Sequence, residues 1–426
     1  MKQQREAYIV GGARIPFMKS MTKYSNVMTF DLMLASMKAL VQKYSLQNKA
    51  VGDIAVGGVM LGPKNWNLAR EVGQSSGLNA LSPGYNVQRA CGTSLETAWQ
   101  LAEKISLGQI ESAIAGGVDT NSDIAISVSD SWARKLLQIN SARTFMDRLK
   151  IILSFRPSDF SLQFPAVMEP RTKMSMGEHT ELMVKEWKIS REDQDQLAAL
   201  SHQNGTKAYK EGFYNDLVFE FNGEKQDGTL RGDTTAEKLA KLKPAFDKST
   251  AGTLTAGNSS PLTDGSAAVL LASKEEAAKN NWPLLARFVD SEVAAVDYVK
   301  GEGLLMAPTV AVSRMLERNN LTLQDFDFYE IHEAFAGQVL CTLKAWESDE
   351  YCQKRLGRKT AMGSIDRSKM NVKGSSVALG HPFGATGARI VATLAKTLSQ
   401  AGPGKRGLIS ICTAGGMGVT AILESV

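Results

Sequence analysis

The chain has 426 residues, 43% hydrophobic and 22% charged, with 37 glycines, 12 prolines, four cysteines and a formal net charge of +5. That length exceeds one ordinary domain and predicts two or three packed units of a soluble globular protein. Abundant glycine without low-complexity runs fits an α/β protein with many tight turns and excludes a flexible linker protein. The mildly basic balance calls for no nucleic-acid partner and suits a substrate that carries phosphates.

Cys91, Cys341, Cys352 and Cys412 are too few for a disulfide scaffold, and their spacings match no zinc pattern. They read as mostly buried thiols in a reducing compartment. The apolar run Ala7–Val10 is too short for a signal-peptide core and reads as the first strand. No apolar run has the length of a membrane span. A cytoplasmic or organelle-matrix protein is expected.

Residues 1–125 alternate strand and helix signals. A strand at Ala7–Val10 is followed by a helical stripe of Leu32, Leu34, Met37, Leu40 and Val41. Ile54–Met60 and Tyr85–Val87 read as strands, Leu95 to Ile105 as a helix face, and Ser112–Val118 as a strand. From 126 to 245 the alternation gives way to a more charged, mostly helical insertion. In it, Ser190 is an N-cap with Asp193 at the third helical position. Thr253–Thr255 and Ala267–Ser273 resume strand signals, and 286–426 repeats the alternation. The run Ser112–Gly117 resembles Leu408–Cys412, each reaching a turn of small residues, which predicts a duplicated α/β half. The expected domains are 1–125 with 246–285, the insertion 126–245, and 286–426.

Four segments could carry chemistry. NVQRACGTS places Cys91 between a strand and a helix start, where the helix dipole lowers a thiol pKa. GHPFGATGAR sets His381, one of four histidines, on a glycine-rich turn. LISICTAGGMG ends a buried strand at Cys412 and follows it with a turn whose N–H groups can hold an oxyanion. YEIHEAFA contains His332-Glu333, but Ala336 stands where the H-E-x-x-H zinc signature needs its second histidine, so no metal is read here. GPGKRG at 402–407 follows a helix and precedes a strand, the reverse of a dinucleotide site, and reads as a connecting turn. Taken singly, each segment also fits an ordinary structural role.

As an ordered set the four segments resemble the thiolase superfamily over nearly the whole chain. GHPFGATGAR and the terminal Cys-x-x-Gly-Gly-x-Gly carry the resemblance most strongly. It implies duplicated α/β halves in a layered α-β-α-β-α core with an inserted helical loop domain. It also implies cleavage of a 3-ketoacyl-CoA through an acyl thioester on Cys91, with coenzyme A as substrate and no bound cofactor. On the same ground, His381 takes the Cys91 proton, Cys412 is the second acid/base, and His332 helps form one oxyanion hole. The N–H groups of Cys91 and Ala414 would form the other, while Met176, Arg231, Ala256 and Ser260 would line the coenzyme A site. Two different atoms change protonation in such a cleavage, so two acid/base groups are needed.

His332 in place of the more usual Asn, Ala414 in place of Gly, and the run Gly357-Arg358-Lys359-Thr360 resemble the β-subunit branch of the fatty-acid oxidation trifunctional complex. Ser175 stands before Met176-Gly177, where some thiolases have His, so the pantetheine contacts differ. The branch implies degradation rather than acetoacetyl-CoA synthesis, a homodimer or homotetramer, and a hydratase/dehydrogenase α-subunit as partner. Residues 130–156 mix six Arg and Lys with Trp132, Phe145, Leu149, Ile152 and other apolar residues. The expectation is that this apolar face packs on the protein; the alternative is a helix docked on a membrane surface or a partner. A carrier-protein condensing enzyme would carry two His and one Cys, and a non-catalytic binding relative would lack the nucleophile. Cys91, His381 and Cys412 together speak against both.

Overall fold

The computed structural model describes residues 5–165 and 167–426. The strands are β1 (Tyr8–Arg14), β2 (Met18–Lys19), β3 (Asp53–Gly57), β4 (Gly84–Val87), β5 (Ser112–Asp119), β6 (Ser127–Val128), β7 (Leu162–Gln163), β8 (Thr263–Ala272), β9 (Ala286–Ala295), β10 (Phe328–Ile331), β11 (Arg406–Thr413) and β12 (Met417–Ser425). The main sheet runs β10-β11-β12-β9-β1-β8-β5-β3-β4, with β2 on β8.

The order shows two related halves. In one, β4, β3 and β5 are parallel and β5, β8 and β1 antiparallel. In the other, β10 and β11 are parallel and β11, β12 and β9 antiparallel. The counterpart of β4 shrinks to one parallel bridge, Tyr329 to Met370. On this map β5 matches β11, the two runs that look alike in the sequence. The halves meet at β1 and β9, paired antiparallel at Tyr8–Arg287 and Ile9–Ala286.

Helices complete the layers. Thr29–Lys43 buries Leu32, Met33, Met37, Leu40 and Val41, a 3.6-residue stripe, against β8 and β1. Ala307–Arg318 covers β9 and β12 on the far side. Between the two halves of the sheet, Thr93–Ser106 and Thr386–Ala401 pack on each other and on strands of both halves. Leu95, Leu101, Ile105, Ile390, Leu394 and Leu398 sit there in one buried cluster with Val269, Ile409 and Val419. Each such side chain contributes about 1.5–3 kcal/mol on burial, so this middle layer binds the halves together.

The expected extents need three corrections. Strand β3 stops at Gly57 rather than running to Met60, because Val59 and Met60 give their N–H groups to the Asp119 carboxylate. Thr253–Thr255 forms no strand: only Thr255 pairs, in an isolated bridge with Pro244, and Glu181 takes the N–H groups of Thr253 and Leu254. In the insertion, Ser190 caps Arg191–Lys210 by accepting from Asp193 N–H. The helices Asp130–Ser141 and Phe145–Leu153, however, have no buried residue. Phe145, Met146, Ile152 and Leu153 are 75%, 58%, 51% and 76% exposed. The face expected to pack inward points outward, because these helices pack on each other and are tied down by Lys135–Asp159 and Trp132–Phe160 rather than seated on the core.

Candidate active site

Cys91 follows β4 on a turn that the next helix holds in place. Ala90 is left-handed at φ +43°, a conformation that costs a non-glycine residue energy and persists where the surroundings enforce it. The enforcement is visible. Thr93 Oγ1 accepts from Arg89 N–H at 2.9 Å and donates to the Ala90 carbonyl at 2.7 Å, and Arg89 pairs with Glu96. A Cβ at Gly92 would lie 2.7 Å from Val419, so the turn seats against the other half of the fold.

His381 lies on the loop before Thr386–Ala401. Gly380, at φ +98°, turns the chain into it, and the His381 N–H donates to Thr263 Oγ1 at 2.7 Å. Nδ1 lies 2.6 Å from Thr386 Oγ1, whose hydrogen goes to the Pro382 carbonyl. Assigned from this network, Nδ1 carries the proton and Nε2 is free to accept one. Asp119, at the end of β5, anchors the loop by accepting from Gly384 N–H at 2.6 Å as well as from Val59 and Met60.

Cys412 stands near the end of β11, at the position in its half that Asp119 region of β5 occupies in the other, and Ala414 and Gly415 turn the chain back into β12. The N–H groups of Ala414 and of Cys91 itself both act on the Cys91 thiol. His332 follows β10 and donates its N–H to Ser410 O at 2.8 Å. Its ring lies 4.2 Å from that of His381. The neighbouring Glu333 is engaged by Ser201 and Asn371.

Cys91, His381, Cys412 and Ala414 line one cavity of about 220 Å³. Met60, Val167, Met168, Leu305, Phe335 and Phe383 make its walls largely apolar. Met176 and Ser260 line it too; the latter is held by donating to the Ala334 carbonyl. His332 is fully buried behind His381. Arg231 and Ala256 are exposed and stand outside the cavity walls.

Burial dominates the protonation states. It pushes the Cys91 thiol up to about 12, against the pull of the two backbone N–H groups. The expected lowering by the helix dipole is thus outweighed, because desolvating a thiolate costs more than one helix end returns. Cys412 is also raised well above the ordinary thiol value by burial, then by Cys91. Burial, then the Arg389 charge, lowers His381 to about 3. His332 is driven well below its ordinary value by burial, His381 and Arg389. At neutral pH the site therefore holds two thiols and two neutral imidazoles: proton donors and acceptors without net charge.

Sequence reasoning missed Asp119, Glu169, Ser376 and Thr386. Thr386 lies inside the His381 motif and Ser376 four residues before it, so both could have been flagged by proximity. Asp119 and Glu169 reach the site only through contacts distant in the chain, which leave no local signal.

Two family models match this chain: the thiolase N-terminal domain over residues 7–275 and the thiolase C-terminal domain over 282–425. A 3-ketoacyl-CoA thiolase of Yersinia pestis (strain Pestoides F) is 38% identical, covering 99% of this chain and 98% of that one. Among solved structures, human mitochondrial 3-ketoacyl-CoA thiolase in complex with CoA superposes with TM-score 0.81 at 28% identity, over 99% and 98% of the two chains. The Bacillus anthracis acetyl-CoA acetyltransferase gives TM-score 0.80 at 30% identity over 100% of each. The chain belongs to the thiolase family.

Proposed function

We propose that the protein is a 3-ketoacyl-CoA thiolase working in the degradative direction of fatty-acid β-oxidation. The observation that carries the reading is the convergence of Cys91, His381, Cys412 and the Ala414 turn on one apolar-walled cavity. His381 Nε2 takes the Cys91 proton as sulfur attacks the 3-keto carbon. The C2–C3 bond breaks and its electron pair forms an enolate, whose oxygen is held through a water that the His332 imidazole binds. The Cys412 S–H protonates C2, and acetyl-CoA leaves. The Cys412 thiolate then takes the proton of incoming CoA–SH, whose sulfur attacks the acyl-Cys91 carbonyl. The resulting oxyanion is held by the N–H groups of Cys91 and Ala414. Collapse releases the shortened acyl-CoA, and His381 returns the proton to Cys91. Both half-reactions balance without a redox step, and ping-pong kinetics follow.

The test is steady-state thiolysis with CoA and 3-ketoacyl-CoAs from about four to sixteen carbons, with Cys91→Ala in parallel. A length-dependent rate abolished by the substitution supports the reading. No thiolysis at any length by the folded protein sinks it. Condensation of two acetyl-CoA outrunning every thiolysis would instead favour an acetoacetyl-CoA thiolase.

The same reading assigns Arg231 and Ala256 to the outer part of the coenzyme A site, and the protein to the cytoplasm, docked peripherally at a membrane. The exposed Phe145, Met146, Ile152 and Leu153, on helices that also carry Arg148 and Lys150, support peripheral docking on an anionic lipid surface. Among the described residues no helix is long and apolar enough to cross a membrane. Co-sedimentation with anionic vesicles at low salt, lost in Phe145→Ser/Leu153→Ser, is the expected outcome. Binding to a hydratase/dehydrogenase α-subunit instead of vesicles would reassign the surface. The expected assembly is a homodimer or homotetramer, to be read by sedimentation.

A further inference from the structure

Arg389 is 1% exposed, and its Nη2 donates to Ser376 Oγ at 2.8 Å. The same Ser376 Oγ lies 2.8 Å from His332 Nδ1. A guanidinium only donates, so one Ser376 lone pair is taken by Arg389. The single hydrogen of the serine must go elsewhere, and among the described residues His332 Nδ1 is the one acceptor bonded to that oxygen. Nδ1 is then an acceptor, and the imidazole proton sits on Nε2. That nitrogen is fully buried and has no hydrogen-bond partner among the described residues. Its hydrogen is a donor held for something that enters the site.

We infer that Ser376, oriented by Arg389, is a positioning residue that locks His332 in the Nε2–H tautomer and so keeps it a hydrogen-bond donor. Its catalytic consequence rests on the reading of His332, given above, as the donor that holds the water facing the enolate oxygen. The arrangement is complementary to that of His381, whose Nδ1 proton goes to Thr386 and whose Nε2 is bare. Two neighbouring neutral imidazoles thereby present opposite faces, one giving a hydrogen bond and the other accepting a proton. Without Ser376, nothing among the described residues distinguishes the two tautomers of His332, and the Nδ1–H form would turn a lone pair toward the site of developing negative charge.

The experiment is nitrogen NMR of the full-length protein labelled with 15N-histidine. With four histidines in the chain, the His332 signals are assigned by their loss in His332→Gln. The wild type is expected to show a protonated Nε2 and a bare Nδ1 on His332. In Ser376→Ala these signals should collapse to a tautomer mixture while kcat for thiolysis falls about 10- to 100-fold, the usual effect of losing a group that orients a reacting side chain, with KM nearly unchanged. Ser376→Thr, which keeps the hydroxyl, should restore both. A wild-type His332 protonated at Nδ1 overturns the inference, as does Ser376→Ala with unchanged tautomer and kcat. If Ser376→Ala does not fold, the wild-type spectrum alone decides. A wild type that shows the Nε2–H signal but performs no thiolysis upholds the tautomer lock and removes the functional reading instead.

Discussion

Glu169 accepts a hydrogen bond of 2.6 Å from the N–H of Gly415, 246 positions away in the chain. Its second carboxylate oxygen accepts from the Tyr298 hydroxyl at 2.9 Å. Glu169 belongs to the insertion, beside Val167 and Met168 in the cavity wall, and Gly415 follows the residue whose N–H faces Cys91. The insertion thus grips the turn that, in the proposed function, supplies half of an oxyanion hole.

Glu169→Ala should therefore slow thiolysis although the residue stands apart from the reacting atoms. The expected loss in kcat is about 10-fold, smaller than the 10²–10³ for deleting an oxyanion donor outright. Glu169→Gln keeps one acceptor and should fall between. Wild-type kcat in a folded Glu169→Ala would show that the turn holds its shape unaided.

The thiol of Cys91, raised to about 12, should behave as a protonated group in the resting protein. Alkylation by iodoacetamide, located by mass spectrometry, should speed up about tenfold per pH unit from pH 7 through 9, since the thiolate is the nucleophile. A plateau below pH 8 would reveal a thiolate stabilised at rest and contradict the burial argument.

Gly117 on β5 has no room for a side chain: an added Cβ would lie 1.9 Å from the carbonyl oxygen of Gly384 in the His381 loop. Gly117→Ala should cost about 3 kcal/mol, the upper end for overpacking, read from urea midpoints, and should abolish thiolysis by displacing that loop. Gly62→Ala, where the nearest atom would be 3.4 Å away, is the control and should stay within about 0.5 kcal/mol of wild type. Equal stability of the two variants would refute the close packing.

His202 gives the pH prediction. Burial, then Arg231, lowers it to about 4, and its Nδ1 accepts from Arg231 N–H at 3.2 Å. Between about pH 6.5 and 4 the unfolded chain binds a proton there and the folded chain does not. Stability is therefore lost as pH falls through that window, at up to about 1.4 kcal/mol per pH unit from this residue. His202→Asn, compared with wild type by urea unfolding at pH 7 and pH 5, should lose less stability on acidification. An identical loss would mean that His202 protonates freely in the folded state.

The alternation of β1 to β5 with helices was legible because apolar periodicity and glycine turns are local properties. Cys91, His381 and Cys412 were legible for a related reason: each sits in a short motif beside a tight turn, and those motifs occur in a telling order. The insertion was harder. An amphipathic stripe such as Phe145, Leu149 and Ile152 says which residues share a face, not whether a core waits opposite it, and here none does. The thiol pKa failed for the same reason, since the helix end next to Cys91 can be read from neighbours but its desolvation depends on residues from the other half. Asp119, Glu169 and the Ser376–Arg389 pair act across long stretches of chain and leave no periodic trace.

The seam between β1 and β9 has a last consequence. Cys91 comes from one half of the duplicated fold, while His381, Cys412 and His332 come from the other, and the two central helices lie between them. Neither half on its own assembles a complete reaction centre, so cutting the chain near 275–282 should yield two silent fragments whose activity returns only as they reassociate. With the proposed roles, catalysis in this protein is then a readout of docking: any loosening between the halves separates the Cys91 sulfur from His381 before either half has unfolded.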